Sequence, residues 1–191
     1  MIRTFLRFLV CESAWVAVLL WACAHGAAWA EQSWASVTNG TVVLFRHAIA
    51  PGGGDPSGFK LNDCSTQRNL GPEGRAQARG IGEEFKRRGI PVAAVWSSQW
   101  CRTRETADLA FPAKRMDQPA FNSFFSDRHA AAGQTREALQ SLSQGRGPGV
   151  LVVVTHQVNI TALTNVVPAS GEGVVVKLTT TGLQVVGRIS P

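Results

Sequence analysis

Two histidines and two arginines in this sequence follow short apolar runs. Arg46-His47 comes directly after Thr41-Val42-Val43-Leu44-Phe45, and His156 follows Val150-Leu151-Val152-Val153-Val154 and one threonine. Arg102 follows Val92-Ala93-Ala94-Val95-Trp96, with Ser97-Ser98-Gln99-Trp100-Cys101 between. Guanidinium and imidazole groups gathered in one place suit one kind of chemistry: they hold an anion and attack it. Guanidinium forks match the oxygens of a phosphoryl group. Two arginines buried near each other are costly unless an anion compensates them. A neutral imidazole is a competent nucleophile. Singly, each residue has a plainer reading. A histidine after a strand is commonly a hydrogen-bonded structural residue, and an arginine at a helix start is a surface charge that even opposes the dipole. The weight lies in their joint arrival at one edge.

The elements that must deliver them can be read from the apolar pattern. The three runs are apolar throughout, as strands buried on both faces are. A long Gly/Pro/Asp/Ser-rich loop follows the first, from Ala50 to about Asn69; loops of that length inside a compact domain are usually functional or mobile. A helix then starts at Gly71-Pro72, with Ala78, Ile81 and Phe85 on one face, and ends at Lys86-Arg87-Arg88-Gly89. A second helix runs from Arg102 to Ala110, and Phe111 to Gly133 reads as irregular. Thr135 is positioned to cap a helix through Ser143. Asn159 to Val166 reads as helical, and Val174-Val175-Val176 with Leu183-Gln184-Val185-Val186 reads as a hairpin across Thr180-Thr181-Gly182. The expected fold class is α/β: a three-layer α/β/α sandwich with a mostly parallel central sheet and a C-terminal antiparallel hairpin or edge strand. In such sheets ligands bind beyond the carboxyl ends of the strands, where these histidines and arginines fall.

The residues also carry a resemblance. Val-Leu-Phe-Arg46-His47-Ala48 resembles the Arg-His-Gly motif of the histidine phosphatase superfamily, which includes the phosphoglycerate mutases. Ser97-Ser98-Gln99-Trp100-Cys101-Arg102-Thr103-Arg104-Glu105-Thr106-Ala107 is similar to its second motif, and Val-Val-Val-Thr-His156 to its third. The three stand in order, from Thr41 to about Arg188. Phe124-Phe125-Ser126-Asp127-Arg128 and Pro168-Ala169-Ser170-Gly171-Glu172 resemble a small exported bacterial branch linked to phosphate on the lipopolysaccharide core. The resemblance implies a metal-independent phosphomonoesterase with a phosphohistidine on His47 and no cofactor. Arg46, Arg102 and His156 would hold the transferring oxygens, and Asp127 would supply the leaving-group proton. Asp117 is the weaker choice of acid. Gln157 and Glu172 would stand at the substrate rim, although Glu172 could instead only shape its turn. Ala48 replaces the usual glycine. No large insertion follows the second motif, which fits a phosphatase open to a phosphorylated sugar or envelope glycolipid better than a mutase that must exclude water. The competing function is a phosphate- or phosphosugar-binding protein without catalysis.

The first thirty residues are of another kind. Arg3 and Arg7 precede an apolar stretch from Trp15 to Ala24, which ends in small residues at Ala28-Trp29-Ala30. That is the order of a secretory signal with an Ala-x-Ala cleavage site. It predicts a signal peptide over 1–30, one domain over 31–191 and a periplasmic location. A retained anchor is the alternative, although the stretch is shorter than a spanning helix of ~20 residues. A poor lipobox at Leu20-Trp21-Ala22-Cys23 is another. Cleavage leaves Cys64 and Cys101, which an oxidising compartment allows to pair or which stand as separate thiols. The whole chain has 191 residues and a net charge of +6, spread along the sequence with no accompanying nucleic-acid motif. No Cys/His cluster has metal-ligand spacing.

Overall fold

A computed structural model describes residues 33–144 and 147–191. The expected signal segment, and with it the question of cleavage or anchoring, lies outside the described residues. Among the described residues six strands and four α-helices build the fold: β1 (Val42–Arg46), α1 (Pro72–Arg87), β2 (Val92–Ser97), α2 (Cys101–Ala110), β3 (Arg115–Asp117), α3 (Ala131–Ser143), β4 (Val150–Thr155), α4 (Gln157–Thr164), β5 (Gly173–Thr179) and β6 (Gly182–Ile189). They form one six-stranded sheet in the order β3-β2-β4-β1-β5-β6. The pairs β3·β2, β2·β4 and β4·β1 are parallel, while β5 runs antiparallel to both β1 and β6. The mostly parallel sheet with antiparallel C-terminal strands is therefore as the apolar runs predicted.

Strand alternation explains the layers. Val43 and Phe45 face one side of β1 and join Ile81 and Phe85 of α1 and Ala107 and Ala110 of α2. Val42 and Leu44 face the other and join Ala138 and Leu142 of α3 and Ile160 of α4. Helices thus cover both faces, and strands β1 and β4 are buried almost throughout. Helix α1 lies unusually close to its neighbours. A Cβ on Gly74 would meet Ile49 O at 1.9 Å, and one on Gly82 would meet Ala110 O at 2.0 Å. Only hydrogen fits at those two positions.

Two expectations need correction. The stretch read as irregular contains β3, paired in register Val95↔Arg115 and Ser97↔Asp117. Its Arg-Met-Asp sequence has no strand pattern, and it is held at the sheet edge by neighbours. Helix α3 begins at Ala131, four residues before Thr135, whose hydroxyl donates back to Ala131 O at 2.6 Å instead of capping. A 3-10 turn over Arg128–Ala130 leads directly into it.

Candidate active site

The carboxyl ends of β1, β2 and β4 bring the predicted side chains together. His47 leaves β1 with its N–H bonded to Thr155 O at 2.9 Å, so adjacent parallel strands fix its backbone. Its ring Nδ1 lies 2.8 Å from Ala48 O. A carbonyl only accepts, so Nδ1 carries the proton and Nε2 keeps the lone pair. Burial, and then the charge of Arg102, push the His47 imidazole down to about 3 against the opposing Ala48 hydrogen bond. The ring is therefore neutral at physiological pH.

His156 sits at the end of β4 as the N-cap of α4, with its ring centroid 5.6 Å from that of His47. Nδ1 lies 3.4 Å from Arg102 Nη2 and Nε2 lies 2.8 Å from Ser98 Oγ. Since a guanidinium only donates, Nδ1 accepts and Nε2–H donates to Ser98, whose hydroxyl donates on to Asn122 Oδ1 at 3.3 Å. Burial and the Arg102 charge hold this imidazole well below its ordinary value.

Arg102 occupies the first turn of α2, where the helix dipole disfavours a cation. Asp55 compensates it. The carboxylate takes both Nη groups, Nη1 to Oδ1 at 2.7 Å and Nη2 to Oδ2 at 3.1 Å, in a pair with side chains only 4% and 8% exposed. Trp100 Nε1 donates to Asp55 Oδ2 at 3.0 Å and Arg68 N to Oδ1 at 3.2 Å. Burial works to raise the Asp55 carboxyl, but the hydrogen bonds and charge of Arg102 outweigh it and hold the group below its ordinary range. Trp100 also sets its ring against His156 and Phe59.

Arg46, half-buried at the end of β1, donates Nη1 to Pro168 O at 3.1 Å. Its charge, with those of Arg68 and Arg102, bears on both histidines. Arg68 is anchored by its Nη1 on Ala50 O at 2.6 Å and its Nε on Gly54 O at 2.9 Å. Two buried guanidinium N–H groups, Nε of Arg46 and Nε of Arg102, have no acceptor among the described residues. Buried donors are normally paired, so each is a place where an oxyanion could accept.

The other predicted residues are placed differently. Asp127 is exposed and caps the 3-10 turn by accepting from His129 N at 3.2 Å. Asp117 bonds Arg104 at the sheet edge. Gln157 opens α4 beside His156, partly exposed. Glu172 turns inward, where it accepts from Arg188 and from Ala169 N at 2.7 Å, so it shapes its turn. The sequence reading missed Asp55, Arg68, Ser98, Trp100 and Asn122. The one signal for the first two was the length of the loop that carries them.

That loop is fastened. Cys64 and Cys101 form a disulfide, closing the alternative of separate thiols and tying the loop to the start of α2. Gln67 Oε1 accepts from Cys101 N at 2.9 Å beside it. Among the described residues no group of three or more His, Cys, Asp or Glu is placed to hold a metal ion, and no helix is long and apolar enough to cross a membrane.

Residues 42–122 match the family described as the histidine phosphatase superfamily (branch 1). No curated protein matches the chain significantly in sequence. Solved structures share the fold at low identity. A protein assigned as an alpha-ribazole-5'-P phosphatase from Escherichia coli is similar with a TM-score of 0.61 and 16% identity, covering 78% of this chain and 96% of its own. A phosphoserine phosphatase from Entamoeba histolytica, in complex with 3-phosphoglyceric acid, gives 0.55 and 15%, covering 79% and 97%. A phosphoglycerate mutase from Thermus thermophilus gives 0.54 and 17%, covering 79% and 99%.

Proposed function

We propose that this chain, whose family match and fold support its place in the histidine phosphatase superfamily, hydrolyses phosphate monoesters through a phosphohistidine on His47. The observation that carries this reading is a neutral imidazole with Nδ1 held by Ala48 O and its Nε2 lone pair available, within a cradle of arginines. In the first step Nε2 bonds to phosphorus as the ester P–O bond breaks, and the leaving oxygen takes a proton. In the second, water attacks phosphorus, the N–P bond breaks, and inorganic phosphate leaves with His47 regenerated. Arg46, Arg102 and His156 stabilise the charge on the transferring oxygens. The two guanidiniums supply the positive charge that a metal would otherwise supply, so the reading is metal-independent.

The candidate for the leaving-group proton is Asp127, exposed on the turn that it caps. The substrate is a phosphorylated sugar or envelope glycolipid, met in the periplasm after cleavage of residues 1–30. Two features support a bulky amphiphilic substrate. Phe125, 55% exposed, stands three residues beyond Asn122, and Val167, 60% exposed, precedes the Pro168 that holds Arg46. Apolar side chains are thus open to solvent on two loops that touch the cradle.

The test uses purified protein and p-nitrophenyl phosphate, with an alkaline quench to trap label on His47. Turnover that vanishes in His47→Ala, with trapped phosphohistidine in the wild type, is expected. One observation favours a phosphate-binding protein instead: Asp127 is exposed and engaged as a cap. That reading predicts phosphate binding without turnover. Asp127→Ala should slow alkyl phosphates more than aryl ones, since an aryl leaving group needs little protonation; equal losses remove it from the acid role. Export is tested by fractionation and by N-terminal sequencing, where a start at Glu31 is expected.

A further inference from the structure

We infer that Asp55 is a positioning residue for phosphoryl transfer: by filling the Nη1/Nη2 end of Arg102, it fixes the guanidinium so that the Nε edge is left for a phosphoryl oxygen beside His156. The inference rests on the phosphatase reading above. A guanidinium presents five N–H groups in one rigid plane. Here Nη1 and Nη2 meet Asp55, Nη2 also reaches His156 Nδ1, and Nη1 lies 3.5 Å from Arg68 O. Among the described residues only Nε of this guanidinium has no partner, and it is buried.

A carboxylate that accepts from Arg102 twice, from Trp100 Nε1 and from Arg68 N is ionised and has no proton to give. It therefore does not act as the general acid. Its charge also offsets one of the three guanidinium charges of Arg46, Arg68 and Arg102. The cradle is left with a balance of two positive charges, which matches a phosphate monoester dianion. A buried ion pair adds little net stability, so its retention at this point is better explained by orientation than by folding. The loop that carries Asp55 is itself pinned, by the disulfide, by Gln67 on Cys101 N and by Arg68 on Ala50 O and Gly54 O.

The experiment compares wild type, Asp55→Asn and Trp100→Phe on p-nitrophenyl phosphate and on butyl phosphate, with orthovanadate and inorganic phosphate as inhibitors. Misplacing a group by about 1 Å costs up to about 10²-fold, so Asp55→Asn should lower kcat about 30-fold with KM within about 3-fold. The loss should be the same on both esters. Vanadate, which resembles the transition state, should bind about 30-fold more weakly, while inorganic phosphate shifts less than about 3-fold. Trp100→Phe removes one donor to Asp55 and should lower kcat about 3-fold, again equally on both esters. If Asp55→Asn does not fold, the Trp100→Phe series decides alone. Unchanged kcat, a greater loss on butyl phosphate, or parallel loss of vanadate and phosphate binding would each overturn the role. A wild type that binds phosphate but turns over neither ester fails the phosphatase reading itself, and this role with it.

Discussion

The loop after β1 and the loop before β5 each carry one carboxylate to one arginine. In the first, Asp55 meets Arg102 and both side chains are buried. In the second, Glu172 is buried but Arg188 is 52% exposed. Arg102 of the first pair reaches His156, whereas Glu172 of the second also accepts from Ala169 N, closing the turn. The same ion-pair chemistry thus serves two ends. Where both partners lose water, orientation is rigid and electrostatics are strong. Where one partner keeps its water, the pair fastens a turn and contributes about 1 kcal/mol or less.

That contrast can be broken or sharpened by measurement. His47→Ala removes the nucleophile and should lower kcat more than about 10³-fold on an aryl phosphate, which sets the floor for the rest. Replacing both Cys64 and Cys101 by Ser unfastens the first loop. It should lower kcat about 10-fold and remove about 2–4 kcal/mol of stability, read by denaturant melts and steady-state rates. A third test uses acid. Both histidines are held below the ordinary value of 6.5, His47 to about 3. The unfolded chain takes up protons that these rings refuse, so their contribution is complete above pH 6.5 and is lost as pH falls toward 3. Melting temperature should drop between pH 7 and pH 5 in wild type, and drop less in His47→Ala. Glu172→Gln should show the smallest effect: kcat within about 2-fold and stability lowered by about 1 kcal/mol. If it costs as much activity as unfastening the first loop, the two loops are not different in kind.

Much of this was legible in the sequence, for a physical reason. A strand buried on both faces must be apolar along its length, so β1 and β4 announce themselves, as does β2, which is buried only in its second half, and the polar residues that follow each run lie at the carboxyl end of the sheet. Arg46, His47, Arg102 and His156 are found that way. Asp55 and Arg68 are not, because their positions depend on a disulfide and on side-chain-to-carbonyl bonds across the loop. No periodicity encodes such contacts. Ser98 and Asn122 fail for a related reason: their roles come from a hydrogen-bond chain to His156 that joins residues 58 and 24 positions apart. Strand β3 is three residues of edge pairing, too short for any pattern to show.

Trp100 sets its indole 5.3 Å from the His156 ring while its N–H is bonded to Asp55. Imidazolium quenches indole emission more strongly than neutral imidazole does. The wall of the cradle therefore contains its own optical gauge, and its brightness will follow any event that puts a proton on the neighbouring ring.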